Sequence, residues 1–499
     1  MKILRFLHLI NPIILGLFFI LFLYASNLGE GIKAIEFFSI FFSISIFSFL
    51  VFSISLLILK KANKASYFST ILLFVFFSYG YFYDLFNEIA IIKEISRHRY
   101  LVPIISIFSL LLIIRTFRKN YDYKKFIFVV FILLSTLTLI NLSQVLIFKL
   151  NPTNPISEDL NIENNQNNNL PDIYHIVLDM YPTEDILATR FDFDNNFFLN
   201  QLDSLGFRKE NLKANYIRTR YSLPSTINMK HFYDASVDEK IYMNETDKSF
   251  NKSVEANVAR KLGYKINEIS TNDVRNFYSS FFGDFSRVFV RTSMLRIIDD
   301  SPIPIHDFWI NKNQKYFQEN ISNLIEISID KDKTWTFFYS RPPHPPFIFN
   351  EDGTKNLDSN PYNTFAENLS DPWNEKEKEN FIKQLKYVNN TIIKTVEKII
   401  SNSKNSIIIL HSDHGVYNVS GEYSMNNNEA MSDEIYEELF STINFIYSPN
   451  NCINETHNIE TNINIISTLI RECLDININD EENLQFWNDR NIEEFILIK

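Results

Sequence analysis

Two runs decide the fold: DIYHIVLDMY at Asp172–Tyr181 and SIIILHSDHG at Ser406–Gly415. Each opens with a short apolar stretch rich in β-branched residues, too brief for a core helix and suited to a strand buried on both faces. Each then breaks into residues able to hold a cation, Asp179 in the first and Asp413-His414 in the second. Further candidate strands are 264–269, 334–339 and 442–447, and candidate helices at 196–205, 253–262, 375–401 and 462–473 alternate with them. This alternation predicts a mostly parallel central sheet covered by helices on both faces, with ligands bound where the carboxyl ends of the strands converge. His344, in RPPHPPF (Arg341–Phe347), follows the run TWTFFYS and falls at such an end.

Singly, these residues have ordinary explanations. An aspartate after a strand commonly caps a turn, and a histidine in a Pro-rich loop is commonly just exposed. Three of them at three strand ends are harder to dismiss, and carboxylate oxygens with imidazole nitrogen suit Zn²⁺ or Mn²⁺. The segment NYIRTRYSLPSTIN (Asn215–Asn228) adds a cluster of hydroxyls entering a helix. A hydroxyl at a helix N-terminus sits where an anion is favoured, and a nearby divalent cation would make it a nucleophile. Simple N-capping is the alternative.

The first 150 residues are chemically different. Of the 499 residues, with net charge −11, residues 1–150 carry 15 Lys/Arg against 6 Asp/Glu, a net of +9, which leaves −20 for the rest. This excludes a single soluble globule and a disordered chain, and the acidic part is no nucleic-acid surface. Five apolar stretches, Phe6–Tyr24, Ile35–Leu59, Tyr67–Phe86, Tyr100–Ile114 and Phe126–Phe148, are candidate membrane helices. A crossing takes about 20 residues; the fourth stretch is short and carries Pro103.

With the N-terminus inside, inner segments hold ten basic residues (Lys2, Arg5, Lys60, Lys61, Lys64, Arg115, Arg118, Lys119, Lys124, Lys125). The outer segments hold five (Lys33, Lys93, Arg97, Arg99, Lys149). That bias predicts N-in, five crossings and an outer C-terminal domain. The Asn-rich stretch Asn151–Asn169 lacks hydrophobic periodicity and reads as a linker, so the chain divides into 1–150, 151–170 and 171–499. Two cysteines, Cys452 and Cys473, exclude a disulfide-rich scaffold and any Cys₄ or Cys₂His₂ zinc motif. They could form one bridge in an oxidising compartment; spacing alone does not decide it.

Strand-Asp, hydroxyl segment, HPPF loop and SDHG, in this order behind five apolar stretches, resemble the alkaline phosphatase/sulfatase superfamily. The resemblance is to its membrane-anchored sulfatase-like branch, which includes lipoteichoic acid synthases and phosphoethanolamine transferases. It implies an N-terminal five-helix transmembrane domain followed by an extracytoplasmic α/β sulfatase-like catalytic domain. It also implies one divalent metal ion, Zn or Mn, held by Asp179, Thr219, Asp413 and His414, with Thr219 as nucleophile and His344 near the substrate phosphate. His411 is a weaker candidate close to that set. The segment Thr219-x-x-Ser222-x-Pro224 is similar to the one after the nucleophilic threonine of phosphoethanolamine transferases. One departure is Met180, where relatives often have glycine (LDMY for LDGY), which would narrow the pocket.

True sulfatases carry C/S-x-P-x-R, whose Cys or Ser becomes formylglycine; here the Arg position holds Thr226, and a threonine cannot be converted. The implied activity is therefore transfer of a phosphoethanolamine or phosphoglycerol headgroup from a membrane lipid to a surface glycan or glycolipid. It would run through a phospho-threonine, at the plasma (inner) membrane, without nucleic acid. A phosphodiesterase, phosphatase or sulfatase-type hydrolase at the same residues is the alternative, and a non-enzymatic surface module is a further one.

Overall fold

The computed structural model describes residues 7–27, 34–88, 97–116, 122–150, 170–231, 233–234, 239–240, 250–270, 285–299, 305–358, 373–417, 419, 432–450, 452–453, 459–488 and 495–498. The Asn-rich run 151–169 lies outside them. The chain forms two compact units, Met1–Pro152 with Arg275–Ile305, and Thr153–Val274 with His306–Lys499. The described residues 285–299 of that stretch thus group with the N-terminal helices, whereas the sequence division placed them within 171–499.

In the first unit the helices are α1 (Leu7–Ser26), α2 (Ala34–Leu59), α3 (Ala62–Glu88), α4 (His98–Thr116) and α5 (Tyr123–Leu150). α2, α3 and α5 are long and apolar enough to cross a membrane; α1 and α4 offer the shorter apolar lengths Ile10–Ser26 and His98–Ile114. Leu15, Phe19, Ile20 and Leu23 of α1 pack against Ile40 and Ile44 of α2 and Leu73 and Phe77 of α3. Outward, Phe42, Ile46 and Ile54, then Ile107, Phe108 and Leu111, then Leu133, Leu139 and Ile147 are exposed, an apolar surface far larger than water tolerates on a monomer. Hydroxyls on these helices turn inward on the backbone: Ser45 donates to the Phe41 carbonyl at 2.7 Å and Ser55 to that of Val51 at 2.7 Å. An apolar solvent demands that satisfaction.

The second unit is built on a six-stranded sheet. Its elements begin with β1 (Asp172–Leu178), α6 (Glu184–Phe191), α7 (Asn196–Ser204), β2 (Phe207–Lys209), α8 (Thr219–Asn228), α9 (Val254–Lys261) and β3 (Lys265–Ser270). They continue with α10 (Ile305–Ile327), β4 (Thr334–Ser340), α11 (Glu375–Asn402), β5 (Ser406–Ser412), α12 (Asp433–Phe440), β6 (Asn444–Tyr447) and α13 (Ile465–Leu474). The strand order is β2-β6-β5-β1-β4-β3. β3, β4, β1 and β5 run parallel, while β6 and β2 close one edge antiparallel. The expected mostly parallel sheet is present; the last expected strand is shorter and antiparallel, and β2 and α10 were not anticipated. β2 is too short to leave a periodic signal.

Alternation along the strands supplies two cores. Tyr174, Ile176 and Leu178 join α6, α7, α10 and α11 on one face; Ile173, Val177, Trp335 and Phe337 join α9 and α13 on the other. A disulfide, Cys452–Cys473, links the chain after β6 to α13.

On the second face lies a buried polar group. His175 Nδ1 is 3.0 Å from Glu255, and its Nε2 is 2.8 Å from His411 Nε2, all three side chains fully buried. Trp335 Nε1 donates to the same carboxylate at 2.8 Å, and the His411 Nδ1–H donates to the Ser412 carbonyl at 2.9 Å. Burial and the neighbouring His175 push the His411 imidazole down to about 3, so it accepts from His175 as a neutral ring. Removing one partner of a buried pair leaves the other uncompensated, which costs about 3–5 kcal/mol. Glu255→Ala is therefore expected to lower the thermal unfolding midpoint of the second unit severely, whereas Glu472→Ala on the exposed face of α13 should leave it nearly unchanged; calorimetry of both variants checks this.

Candidate active site

β1, β4 and β5 are adjacent and parallel, so their carboxyl ends open on one edge. Asp179 follows β1 directly, its N–H held by the Ser340 carbonyl of β4 at 2.9 Å. Asp413 and His414 follow β5. One ligand atom each from Asp179, Asp413 and His414 lies within 4.8 Å of the others, and all three side chains are buried. Strand register thus brings together residues more than 230 positions apart.

The turn after β5 needs glycine. A Cβ on Gly415 would stand 2.1 Å from the Glu438 carbonyl oxygen at the end of α12, and the Gly415 N–H donates to Leu439 at 2.9 Å. That approach orients His414, whose Nδ1–H donates to the Gly415 carbonyl at 2.8 Å. The Nε2 lone pair is left facing Asp179 Oδ1 at 3.4 Å and Thr219 Oγ1 at 3.1 Å, the presentation a metal-binding histidine needs. Met180, after the first aspartate, has φ 59°. This left-handed backbone explains why glycine suits the position; the Met180 side chain is buried in the first core.

Thr219 is the first residue of α8, and its hydroxyl lies 3.4 Å from Asp179 Oδ1. The preceding segment is pinned by buried Asn215, which donates to Thr461 and the Leu484 carbonyl and accepts from the Ile463 N–H. The hydroxyls of the segment part ways here. Ser222 is buried and donates to the Asp413 backbone carbonyl at 2.5 Å, so it braces the loop while Thr219 faces the cluster.

His344 is half-buried, its ring centroid 6.4 Å from that of His414. The loop carrying it is held from α11 by Gln384, which donates to the Pro343 and His344 carbonyls at 3.0 and 3.2 Å and accepts from the Ile348 N–H at 2.8 Å. His411, in contrast, belongs to the buried group under the sheet and not to the cluster. Its place in the alternation decides this: it shares a strand face with Ile407 and Ile409.

Three residues at the site escaped the sequence reading. Tyr339, the penultimate residue of β4, donates to Asp179 Oδ2 at 2.5 Å. Tyr417 donates to the Ile217 carbonyl and lies 3.3 Å from His414 Nε2. Arg341 donates from Nε to the Pro345 carbonyl at 3.0 Å, and its charge favours the ionised form of Asp179. Tyrosines inside apolar runs look like core; only the alternation WTFFYS, placing Tyr339 at the strand end, hinted otherwise.

These residues fit a divalent cation. Burial, and next the repulsion of Asp413, hold the Asp179 carboxyl well above the ordinary carboxylate range. Asp413 Oδ2 is buried with no hydrogen-bond partner among the described residues. Two carboxylates, an imidazole lone pair and a hydroxyl form a donor set of the right hardness and number for Zn²⁺ or Mn²⁺.

No family model matches the chain, and no curated protein matches it. Among solved structures, it is similar to the C-terminal periplasmic domain of EcEptC from Escherichia coli, at 10% identity and TM-score 0.43 over 68% of this chain and 95% of that one. It is similar to the C-terminal periplasmic domain of the phosphoethanolamine transferase EptC from Campylobacter jejuni, at 13% identity and TM-score 0.36 over 62% and 92%. A third is the lipoteichoic acid synthase LtaP from Listeria monocytogenes, at 13% identity and TM-score 0.35 over 62% and 73%. At such identities and TM-scores below 0.5, these likenesses carry nothing about chemistry, which must come from the residues of this chain.

A carboxyl that holds its proton more tightly when folded stabilises the metal-free fold at low pH, and the contribution is lost as pH rises above the ordinary carboxylate range through the raised value. The thermal midpoint of chelator-treated protein is thus expected to fall as pH rises above the ordinary carboxylate range, less so in Asp179→Asn. Added Zn²⁺ or Mn²⁺ should raise the midpoint more at the higher pH, where no proton need leave. Tyr339→Phe removes a partner that orients a ligand, and titration should show divalent-ion affinity weakened about 10–100-fold.

Proposed function

We propose that the chain is a membrane-anchored, metal-dependent phospho-group transferase whose nucleophile is Thr219. The observation that carries this is the meeting of the Thr219 hydroxyl, at a helix N-terminus, with Asp179 and the His414 lone pair beside Asp413 Oδ2, which has no hydrogen-bond partner among the described residues. Asp179, Asp413, His414 and the Thr219 oxygen would hold one Zn²⁺ or Mn²⁺. When bound, that ion lowers the pKa of the Thr219 hydroxyl and offsets charge on a phosphoryl oxygen.

The chain's own residues supply the rest. The Thr219 oxygen forms a bond to the phosphorus of a lipid headgroup as the bond to diacylglycerol breaks in line. The Thr219 proton passes to solvent as the oxygen attacks, and the departing diacylglycerol oxygen takes a proton from the His344 imidazolium. In the second displacement His344 regains a proton from the acceptor hydroxyl, and the leaving Thr219 oxygen takes one back from solvent. The product is a phosphodiester on a surface glycan or glycolipid. The headgroup, phosphoethanolamine or phosphoglycerol, is carried over from the family resemblance. The disulfide Cys452–Cys473 supports an oxidising, extracytoplasmic location for this unit. The charge bias of the loops supports an N-in topology of five crossings in the plasma (inner) membrane.

Incubation with labelled phosphatidylethanolamine or phosphatidylglycerol, followed by peptide mass spectrometry, tests the reading. A headgroup-phosphate adduct on Thr219 is expected in the native chain and absent in Thr219→Ala, with kcat/KM falling by about three orders of magnitude or more. Release of free headgroup phosphate with no acceptor product would make the enzyme a hydrolase at the same site.

A further inference from the structure

Between β3 and α10 the chain leaves the second unit after Val274 and returns at His306. The intervening residues 285–299 form two short helices, Phe285–Thr292 and Arg296–Asp299, that belong to the first unit. We propose that this strap is an internal docking element. It seats a segment of the C-terminal half on the ends of α1, α2 and α3 and attaches that half to the membrane unit independently of the covalent connection through 151–169.

Four observations on separate atoms agree. Phe285 and Val290 are almost wholly buried, and Phe285 and Phe289 join the core made by Leu15, Phe19, Ile40 and Phe77. Met294 N–H donates to the Phe76 carbonyl of α3 at 2.8 Å, a backbone bond to a carbonyl already inside a helix. Gly80 of α3 admits the strap's backbone: a Cβ there would fall 2.0 Å from the Arg291 carbonyl oxygen. Arg296, only 4% exposed, pairs with Asp84 at 2.6 Å and stacks over the Tyr83 ring at 3.9 Å. A buried guanidinium needs such a partner, and truncating one side strands the other.

The contacts share one end of the bundle. They fall on the C-terminal half of α1, the N-terminal part of α2 and the C-terminal part of α3, the ends that an N-in topology places outside. An amphipathic helix could instead lie on lipid. Here the groups that hold it are a glycine notch, a backbone carbonyl and an aspartate, all supplied by protein, so the occupant of this surface is the chain itself.

The test uses the full chain in native membranes, with a protease site placed in the Asn-rich run 151–169. After cleavage and a neutral wash, the C-terminal fragment is expected to stay with the membranes. Gly80→Leu, which closes the notch, and Asp84→Arg, which strands Arg296, should each release most of it. The double variant Asp84→Arg with Arg296→Asp should restore retention, which a merely misfolded bundle would not do. Release of the native fragment on cleavage overturns the proposal. So does retention unchanged by Gly80→Leu and Asp84→Arg, which would mean that lipid holds the strap. Sedimentation of the N-terminal fragment, scored in the same experiment, keeps failure of the membrane reading distinct from failure of the docking.

Discussion

Two carboxylates and an imidazole, each almost wholly removed from water, converge within 4.8 Å at the ends of adjacent parallel strands. Charge of one sign gathered in a dry place is unstable by itself, and the raised Asp179 carboxyl records the cost. Much of the surrounding structure serves to hold this arrangement. The Gly415 approach to α12 aims His414, Tyr339 grips the far oxygen of Asp179, and Ser222 ties the start of α8 to the Asp413 backbone. A rigid cradle of unbalanced negative charge is what a divalent cation satisfies and what an exposed hydroxyl can exploit.

The same sheet carries a second buried polar group on its other face, and the two are built differently. Glu255, His175, His411 and Trp335 satisfy one another within the protein, whereas Asp413 Oδ2 finds no partner among the described residues. A closed network adds stability and specificity; an open one calls for a ligand. Two histidines three positions apart, His411 in β5 and His414 just beyond it, thus end with unrelated roles, His411 within the closed group and His414 at the open cluster.

The N-terminal unit follows another rule. Its helices leave apolar side chains facing outward, and hydroxyls such as those of Ser45 and Ser55 turn back on carbonyls of their own helix, as an apolar solvent requires. Its interior then admits Phe285 and Phe289 from a segment that the sequence places deep in the C-terminal half. Two units that look consecutive in sequence are in fact interleaved.

Periodicity and charge made the main divisions legible. Uninterrupted apolar runs announced the central strands β1, β4 and β5, loop charges pointed to an orientation in the membrane, and polar residues just past the strands marked Asp179, His344, Asp413 and His414. Such signals are local: they need only the chemistry of neighbours along the chain. What tertiary structure alone decided depends on distant partners. It turned the Thr219 hydroxyl, already singled out by the family resemblance, toward the cluster while Ser222 braces the Asp413 backbone, brought Tyr339 and Tyr417 beside the site, and kept His411 in the buried group under the sheet. It also closed Cys452 onto Cys473 and carried residues 285–299 to the N-terminal helices. A side chain's direction is set by strand register and helix seating, and these are settled only when segments hundreds of residues apart compete for the same buried surface.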